Sequence, residues 1–377
     1  MPSDLDPDLR ARGERLRIAQ VAPLYESVPP QLYGGTERVV SWLTEELVAM
    51  GHDVTLFASG DSRTRARLVP ACPISLWRDP NVKETLPQHV RMLELLFSDL
   101  SRFDVVHFHC DYLQFPLLRR QYWANVSTLH GRIHLNDVEA LFREYAGMPL
   151  VSISDAQRRP LPDANWQATI YHGLPRNLHT FQPRPGRYLA FLGRISPEKG
   201  VDRAIEIARA AGAPLKIAAK IYSEDQAYFQ TVITPLLDRT RSLVEFVGEV
   251  GGTRKNEFLG GASALLFPID WPEPFGLVMI EAMACGTPVI AWRNGSVPEI
   301  IEGGETGFVV ESVDQAVDCV RRVAEIRRTD CRHAFEERFD SRRMAIDYVS
   351  VYRRVIAGPR IYEGLAAPVG GLCVRSL

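Results

Sequence analysis

Short runs of Val, Ile, Leu and Ala alternate with amphipathic stretches along most of the chain. Residues 17–22 (RIAQVA) read as a strand, followed by a loop that carries Gly34 and Gly35. Thr36 is placed to cap a helix on which Val39, Val40, Leu43, Leu47 and Val48 form one apolar stripe. Gly51 ends that helix, and 53–59 (DVTLFAS) is the next strand. The alternation continues through strands at 104–109, 124–130, 149–154 and 167–172. Near-continuous apolar strands separated by helices predict a parallel sheet covered on both faces. Residues 173–187 (GLPRNLHTFQPRPGR) are rich in proline and glycine and read as a linker. A second cycle then begins, with strands at 188–194, 215–220, 243–248, 263–268 and 288–293 and a short one at 306–310. Asp340 is placed to cap a long last helix over 340–357. The first dozen residues and the tail from Pro359 lack periodicity and read as irregular.

The expectation is an α/β chain of two Rossmann-like domains. Residues 1–180 form the first and 187–339 the second. Residues 340–377 supply a helix that crosses back to the N-terminal domain, then a tail. Paired open sheets of this kind place a ligand cleft between their facing carboxyl edges.

Composition narrows the class. The 377 residues exceed the roughly 250–300 at which single cores stop growing, in keeping with two domains. A net charge of -2 argues against a nucleic-acid partner, which needs a broad basic face. The six cysteines, Cys72, Cys110, Cys285, Cys319, Cys331 and Cys373, show no C-x-x-C spacing and read as reduced thiols. The charged opening residues contain no apolar signal segment, and no apolar run reaches the roughly 20 residues of a transmembrane segment. A cytoplasmic location is expected. Arg63, Arg65 and Arg67, near Trp77, leave a phosphate or peripheral membrane contact open, beside the plainer reading of a solvated basic loop.

The densest chemistry lies in 270–293, DWPEPFGLVMIEAMACGTPVIAWR. Pro274 favours a helix start, so the amides around Phe275, Gly276 and Leu277 would be that helix's unpaired donors, suited to a phosphate. On a continuous helix, eight steps from Glu273 to Glu281 span roughly 10–12 Å, the reach from a sugar ring across a diphosphate to a ribose. Taken alone, the two glutamates also fit a surface residue at a helix start and a solvated one on the helix.

This string resembles the family-4 retaining glycosyltransferases, whose fold is GT-B. The resemblance spans 17–357 and is densest in the C-terminal half. It implies that Glu273 contacts the donor sugar and that Glu281 binds the ribose hydroxyls. In FLGRISPEKG, the family's Arg and Lys correspond to Arg194 and Lys199, two cations suited to a departing diphosphate. In QLYGGTERVV, the loop at Gly35 is implied to border the phosphates and the acceptor, and glycine lets backbone approach a ligand. His130, ending STLHG, matches the family's histidine near the donor sugar, with strand-end packing as the alternative.

The expected catalytic residues are thus Glu273, His130, Arg194 and Lys199. The expected donor-binding residues are Gly35, Arg194, Lys199, Pro274, Phe275, Gly276, Leu277 and Glu281. No metal and no cofactor is expected, the nucleotide sugar being a cosubstrate. Asp-x-Asp occurs only within Asp4–Asp8, ahead of the first strand, and the two cations can neutralise the diphosphate instead. His107 and His109 share a strand face with a metal-ligand spacing, but no second ligand cluster accompanies them, and packing is the preferred reading. Ser152, Ser154 and Asp155 read as helix-capping residues ahead of the linker. Ala218, Ala219 and Lys220 depart from a Gly-containing strand end in the family, which leaves the base open; Lys220 is either a third phosphate cation or a solvated residue.

The expected function is retaining, metal-independent transfer from a nucleotide-diphosphate sugar, with UDP as the first choice of nucleotide. The acceptor is a small molecule, a glycan or a lipid-linked acceptor. The alternatives are a nucleotide-sugar epimerase and a silent nucleotide-sugar binder on the same fold. The missing G-x-G-x-x-G fingerprint weakens a dehydrogenase reading.

Overall fold

The computed structural model describes residues 15–31, 34–133 and 136–358, with backbone alone at 136 and 137. The Asp4–Asp8 segment, the first dozen residues and the tail from Pro359, both read as irregular from the sequence, and Cys373 lie outside the described residues.

Seven strands form the first sheet: β1 (Arg17–Val21), β2 (Asp53–Ser59), β3 (Arg67–Cys72), β4 (Val105–Phe108), β5 (Asn125–Thr128), β6 (Leu150–Ser152) and β7 (Trp166–Thr169). Their order is β3-β2-β1-β4-β5-β6-β7, every pair parallel. Six more form the second: β8 (Tyr188–Arg194), β9 (Leu215–Lys220), β10 (Val244–Gly248), β11 (Ala262–Phe267), β12 (Val289–Trp292) and β13 (Gly307–Val310). Their order is β10-β9-β8-β11-β12-β13, again all parallel. The central strands are buried on both faces, as their unbroken apolar runs require. In each sheet the winding reverses beside the first strand, between β1 and β4 and between β8 and β11. Those switch points open crevices at the carboxyl ends of the strands.

Three local readings change. β3 falls within a stretch read as loop; it is an edge strand whose first four side chains are exposed or half-buried, and it tolerates Pro70. Thr36 is not the cap of the first helix, which runs Gly35–Ala49 with Gly34 at the N-cap and no side-chain cap bond. Gly34 turns the chain in with φ 142°, a conformation closed to a residue with a Cβ, so Thr36 falls inside the first turn. Pro274 does not open its helix. The helix is Leu277–Ala284, entered through Gly276 at φ 81°. Eight helical steps therefore do not separate Glu273 from Glu281, because Glu273 sits in the preceding loop.

Ser154 Oγ accepts from Gln157 N at 3.1 Å and caps the Asp155–Arg158 helix. Asp340 caps the Ser341–Ala357 helix by accepting from Arg342 N at 2.6 Å. That last helix follows the second sheet in sequence yet packs on the Gly35–Ala49 helix, β4 and β5 of the first. Its Tyr348 and Tyr352 are fully buried there. Within the second unit, the Arg328 guanidinium donates to the carbonyls of Gln182, Ala262, Gly260 and Cys285 and to Thr287 Oγ1. Among the described residues no helix is long and apolar enough to cross a membrane.

Candidate active site

A cleft of about 660 Å³ lies between the carboxyl edges of the two sheets. Its walls come from the switch points. The loop after β1 brings Tyr25, Gly34 and Gly35; His109 and His130 follow the ends of β4 and β5; β8 ends at Arg194; the loop after β11 brings Glu273 to Gly276. Every expected catalytic and donor-binding residue lines this cleft: His130, Arg194, Lys199, Gly35, Glu273, Pro274, Phe275, Gly276, Leu277 and Glu281. Lys220 lines it as well. A Cβ on Gly35 would lie 3.6 Å from Leu277 Cδ1, so the glycine loop and the Leu277–Ala284 helix start meet across the cleft.

The cations are held by carboxylates. Lys199 Nζ donates to Glu273 Oε2 at 2.5 Å and lies 4.7 Å from the centre of the Trp271 ring. Arg194 Nη2 donates to Glu198 Oε1 at 2.5 Å, and its Nε stands 3.3 Å from Asp225 Oδ2. These bonds fix the side chains before any ligand arrives, the kind of preorganisation that electrostatic stabilisation needs. The Leu277–Ala284 helix directs its first amides and positive dipole end into the same space.

Glu281 is 3% exposed, and Lys255 Nζ donates to its Oε1 at 2.7 Å. Burial alone would raise the Glu281 pKa, but Lys255 and His179 together hold it below the usual carboxylate range. Lys255 escaped sequence reading because nothing in GTRKNEFLG marks it; folding alone brings it to a glutamate 26 residues away. Glu37, also on the cleft wall, is pushed up to about 7 by burial.

Four histidines form a cluster at the wall of the cleft, and three of them, His109, His130 and His172, line it. His107 is bonded on both ring nitrogens, to the Tyr352 hydroxyl and to Thr128 Oγ1, each at 2.7 Å. His109 meets His130 Nε2 at 2.9 Å and Gln20 Oε1 at 2.8 Å. His130 stacks on His172 with ring centres 5.2 Å apart, and His172 meets Phe275 edge-on at 4.9 Å. Burial pushes His107, His109 and His172 well below 6.5 and His130 to about 3, so all four are neutral at ordinary pH. Among the described residues no group of three or more His, Cys, Asp or Glu is placed to hold a metal ion. His172 was missed, although the signal was there: like His109 and His130, it follows the end of a strand on this edge.

The basic loop lies apart from this site. Arg65 is bonded to Glu45, whereas Trp77 lines the mouth of the cleft with its ring 5.2 Å from Tyr25. Asp111, also on the wall, is held at φ 55°.

Two parallel-sheet domains with charged loops at facing switch points define a nucleotide-sugar transferase architecture, and the chain's relatives agree. A family model described as Glycosyltransferase Family 4 matches residues 33–164, and one described as Glycosyl transferases group 1 matches residues 180–339. The glycogen synthase of Mycobacterium tuberculosis is 29% identical over 92% of this chain and 96% of its own length. AviGT4, a glycosyltransferase involved in avilamycin A biosynthesis, is 28% identical, with a TM-score of 0.71 over 91% of this chain and 99% of that one. A sucrose-phosphate synthase from Thermosynechococcus elongatus, 21% identical, shares the fold with a TM-score of 0.74 over 91% and 100%. The chain belongs to the glycosyltransferases with the GT-B fold, and it is an enzyme.

Proposed function

We propose that this enzyme transfers a sugar from a nucleotide-diphosphate sugar, UDP-linked in the first instance, to an acceptor hydroxyl with retention at the anomeric carbon. The observation that carries the reading is that Arg194, Lys199, Glu273 and Glu281 all line one cleft beside the start of the Leu277–Ala284 helix. The diphosphate lies along Arg194, Lys199 and the helix amides, the sugar reaches toward Glu273 and His130, and the ribose hydroxyls reach Glu281.

In the reaction the bond from the anomeric carbon to the diphosphate oxygen breaks while the acceptor oxygen bonds to that carbon on the same face. A departing phosphate oxygen takes the acceptor proton. Arg194 and Lys199 offset the charge that develops on the leaving group, which is why no metal is required. Glu273, held by Lys199, orients the sugar. The acceptor enters from the first domain, past Tyr25 and Trp77. The chemistry occurs in the cytoplasm, where sugar nucleotides are made.

A thermal-shift panel of UDP-, GDP- and ADP-glucose tests the donor. One member should stabilise the protein, and EDTA should leave both that shift and donor turnover unchanged. No shift at millimolar concentration from any of the three would refute the reading.

A further inference from the structure

The histidine cluster has a proton order that follows from the orientation of one amide. Gln20, buried on β1, donates through Nε2 to the Tyr352 hydroxyl at 2.9 Å, which leaves its carbonyl Oε1 toward His109 Nε2 at 2.8 Å. A carbonyl oxygen only accepts, so His109 Nε2 carries a hydrogen. A neutral imidazole has one N–H, so His109 Nδ1 is an acceptor. The donor across the 2.9 Å contact is therefore His130 Nε2. The other branch follows from the same amide. Tyr352, accepting from Gln20, gives its own hydrogen to His107 Nδ1, and His107 Nε2 donates to Thr128 Oγ1, which lies 3.0 Å from the Tyr348 hydroxyl.

His130 is left with its lone pair on Nδ1. Among the described residues that nitrogen has no hydrogen-bond partner, and the ring lines the cleft. We propose that Gln20 and His109 are positioning residues that hold His130 in its Nε2–H form, so that Nδ1 accepts a hydrogen bond from a hydroxyl of the donor sugar. Turning the Gln20 amide over would reverse every link and make His130 a donor from Nδ1. The amide of one buried glutamine thus decides whether the sugar meets an acceptor or a donor. The final helix takes part through Tyr352, which anchors that amide from the far side. The sugar contact rests on the function proposed above; the proton order does not.

The test is imidazole nitrogen NMR on the full chain labelled with 15N-histidine, with His130→Asn used to assign the ring. In the ligand-free protein, His130 should show the Nε2–H form and stay neutral between about pH 5 and 8. His109→Leu should give mixed tautomers or protonation of His130 in that range. His109→Gln, whose amide can both accept from His130 and donate to Gln20, should restore the Nε2–H form and shows that the position tolerates substitution. UDP-, GDP- and ADP-glucose are then added in turn, and the one that binds should shift the Nδ1 signal. In turnover of that donor, His109→Leu should lower kcat/KM roughly two- to tenfold, the worth of one hydrogen bond, with His109→Gln recovering most of it. A hydrogen on His130 Nδ1 in the native protein, or an unaltered His130 in His109→Leu, overturns the positioning role alone. The correct tautomer with no response to any of the three nucleotides overturns the sugar contact and the proposed function together.

Discussion

Lys255 Nζ donates to Glu281 Oε1 at 2.7 Å, and the carboxylate it serves is almost wholly removed from water. Removing one partner of a buried pair leaves an uncompensated charge, which costs more than the pair contributes. Lys255→Met should therefore destabilise the protein by about 3 kcal/mol at neutral pH, read by urea unfolding. The folded Glu281 pKa lies below its unfolded value, so its contribution is complete above roughly pH 4.5 and is lost as pH falls through the folded value. The penalty in Lys255→Met should accordingly shrink in acid, and Lys255→Met/Glu281→Gln should recover much of it at pH 7. A penalty that is constant with pH would show that Lys255 acts through packing.

The leaving-group cations give a kinetic prediction. Arg194→Ala, Lys199→Ala and Glu273→Ala should each lower turnover of the donor by about 10²–10³. Because Lys199 and Glu273 are bonded to each other, the double variant should fall by much less than the product of the two single losses. Steady-state kinetics with the nucleotide sugar selected by thermal shift decides this, and near-normal turnover in Arg194→Ala and Glu273→Ala would sink the mechanism.

Arg328 is a stability element away from the chemistry. Its guanidinium satisfies four carbonyls and a hydroxyl in a nearly closed site. Arg328→Met would leave those acceptors buried without donors, and each lost partner costs about 1–3 kcal/mol. The expected loss is at least about 3 kcal/mol in urea unfolding, with KM for the donor unchanged in the fraction that remains folded.

Acid should weaken the fold through the histidine cluster. His107, His109, His130 and His172 have folded pKa values below the unfolded value of about 6.5, so the unfolded chain binds more protons as pH falls. Their contribution is complete above about pH 6.5 and is lost below it. Glu37 opposes them: burial raises it to about 7, so its share of stability declines as pH climbs from roughly 4.5 to 7. Glu26, Asp111 and Asp225, also raised by burial, act with Glu37, while His52, His89 and His179, also lowered by burial, act with the cluster; seven histidines outweigh four carboxyls, and urea midpoints should fall between pH 7 and pH 4. His172→Phe, which keeps a ring between His130 and Phe275, should flatten that fall.

Both sheets were legible in the sequence because parallel strands buried on two faces leave runs that polar periodicity does not interrupt. β3 was not, since an edge strand with a proline carries no such run. The glycine-rich strings and both glutamates, Glu273 and Glu281, fall on the cleft, although not through a helical spacing between the two. Lys255 and Gln20 are different. Lys255 reaches Glu281 from a neighbouring helix and Gln20 reaches His109 from a neighbouring strand, and no local pattern encodes either adjacency. The helix start at Leu277 was misplaced because proline is a plausible first residue, while the left-handed turn at Gly276 takes that role.

The last helix limits how the molecule can be cut. Tyr348 and Tyr352 tie a segment from beyond the second sheet into the interior of the first. The polypeptide therefore passes between its two halves twice, once at 173–187 and again near Asp340. The two crossings run side by side, Leu174 N donating to Phe339 O at 2.8 Å and Ser341 N to Leu174 O at 2.9 Å. A protease or a designer who severs only the first crossing would not free either half, and expressing the first half without 341–357 would bare the groove where the two tyrosines now sit.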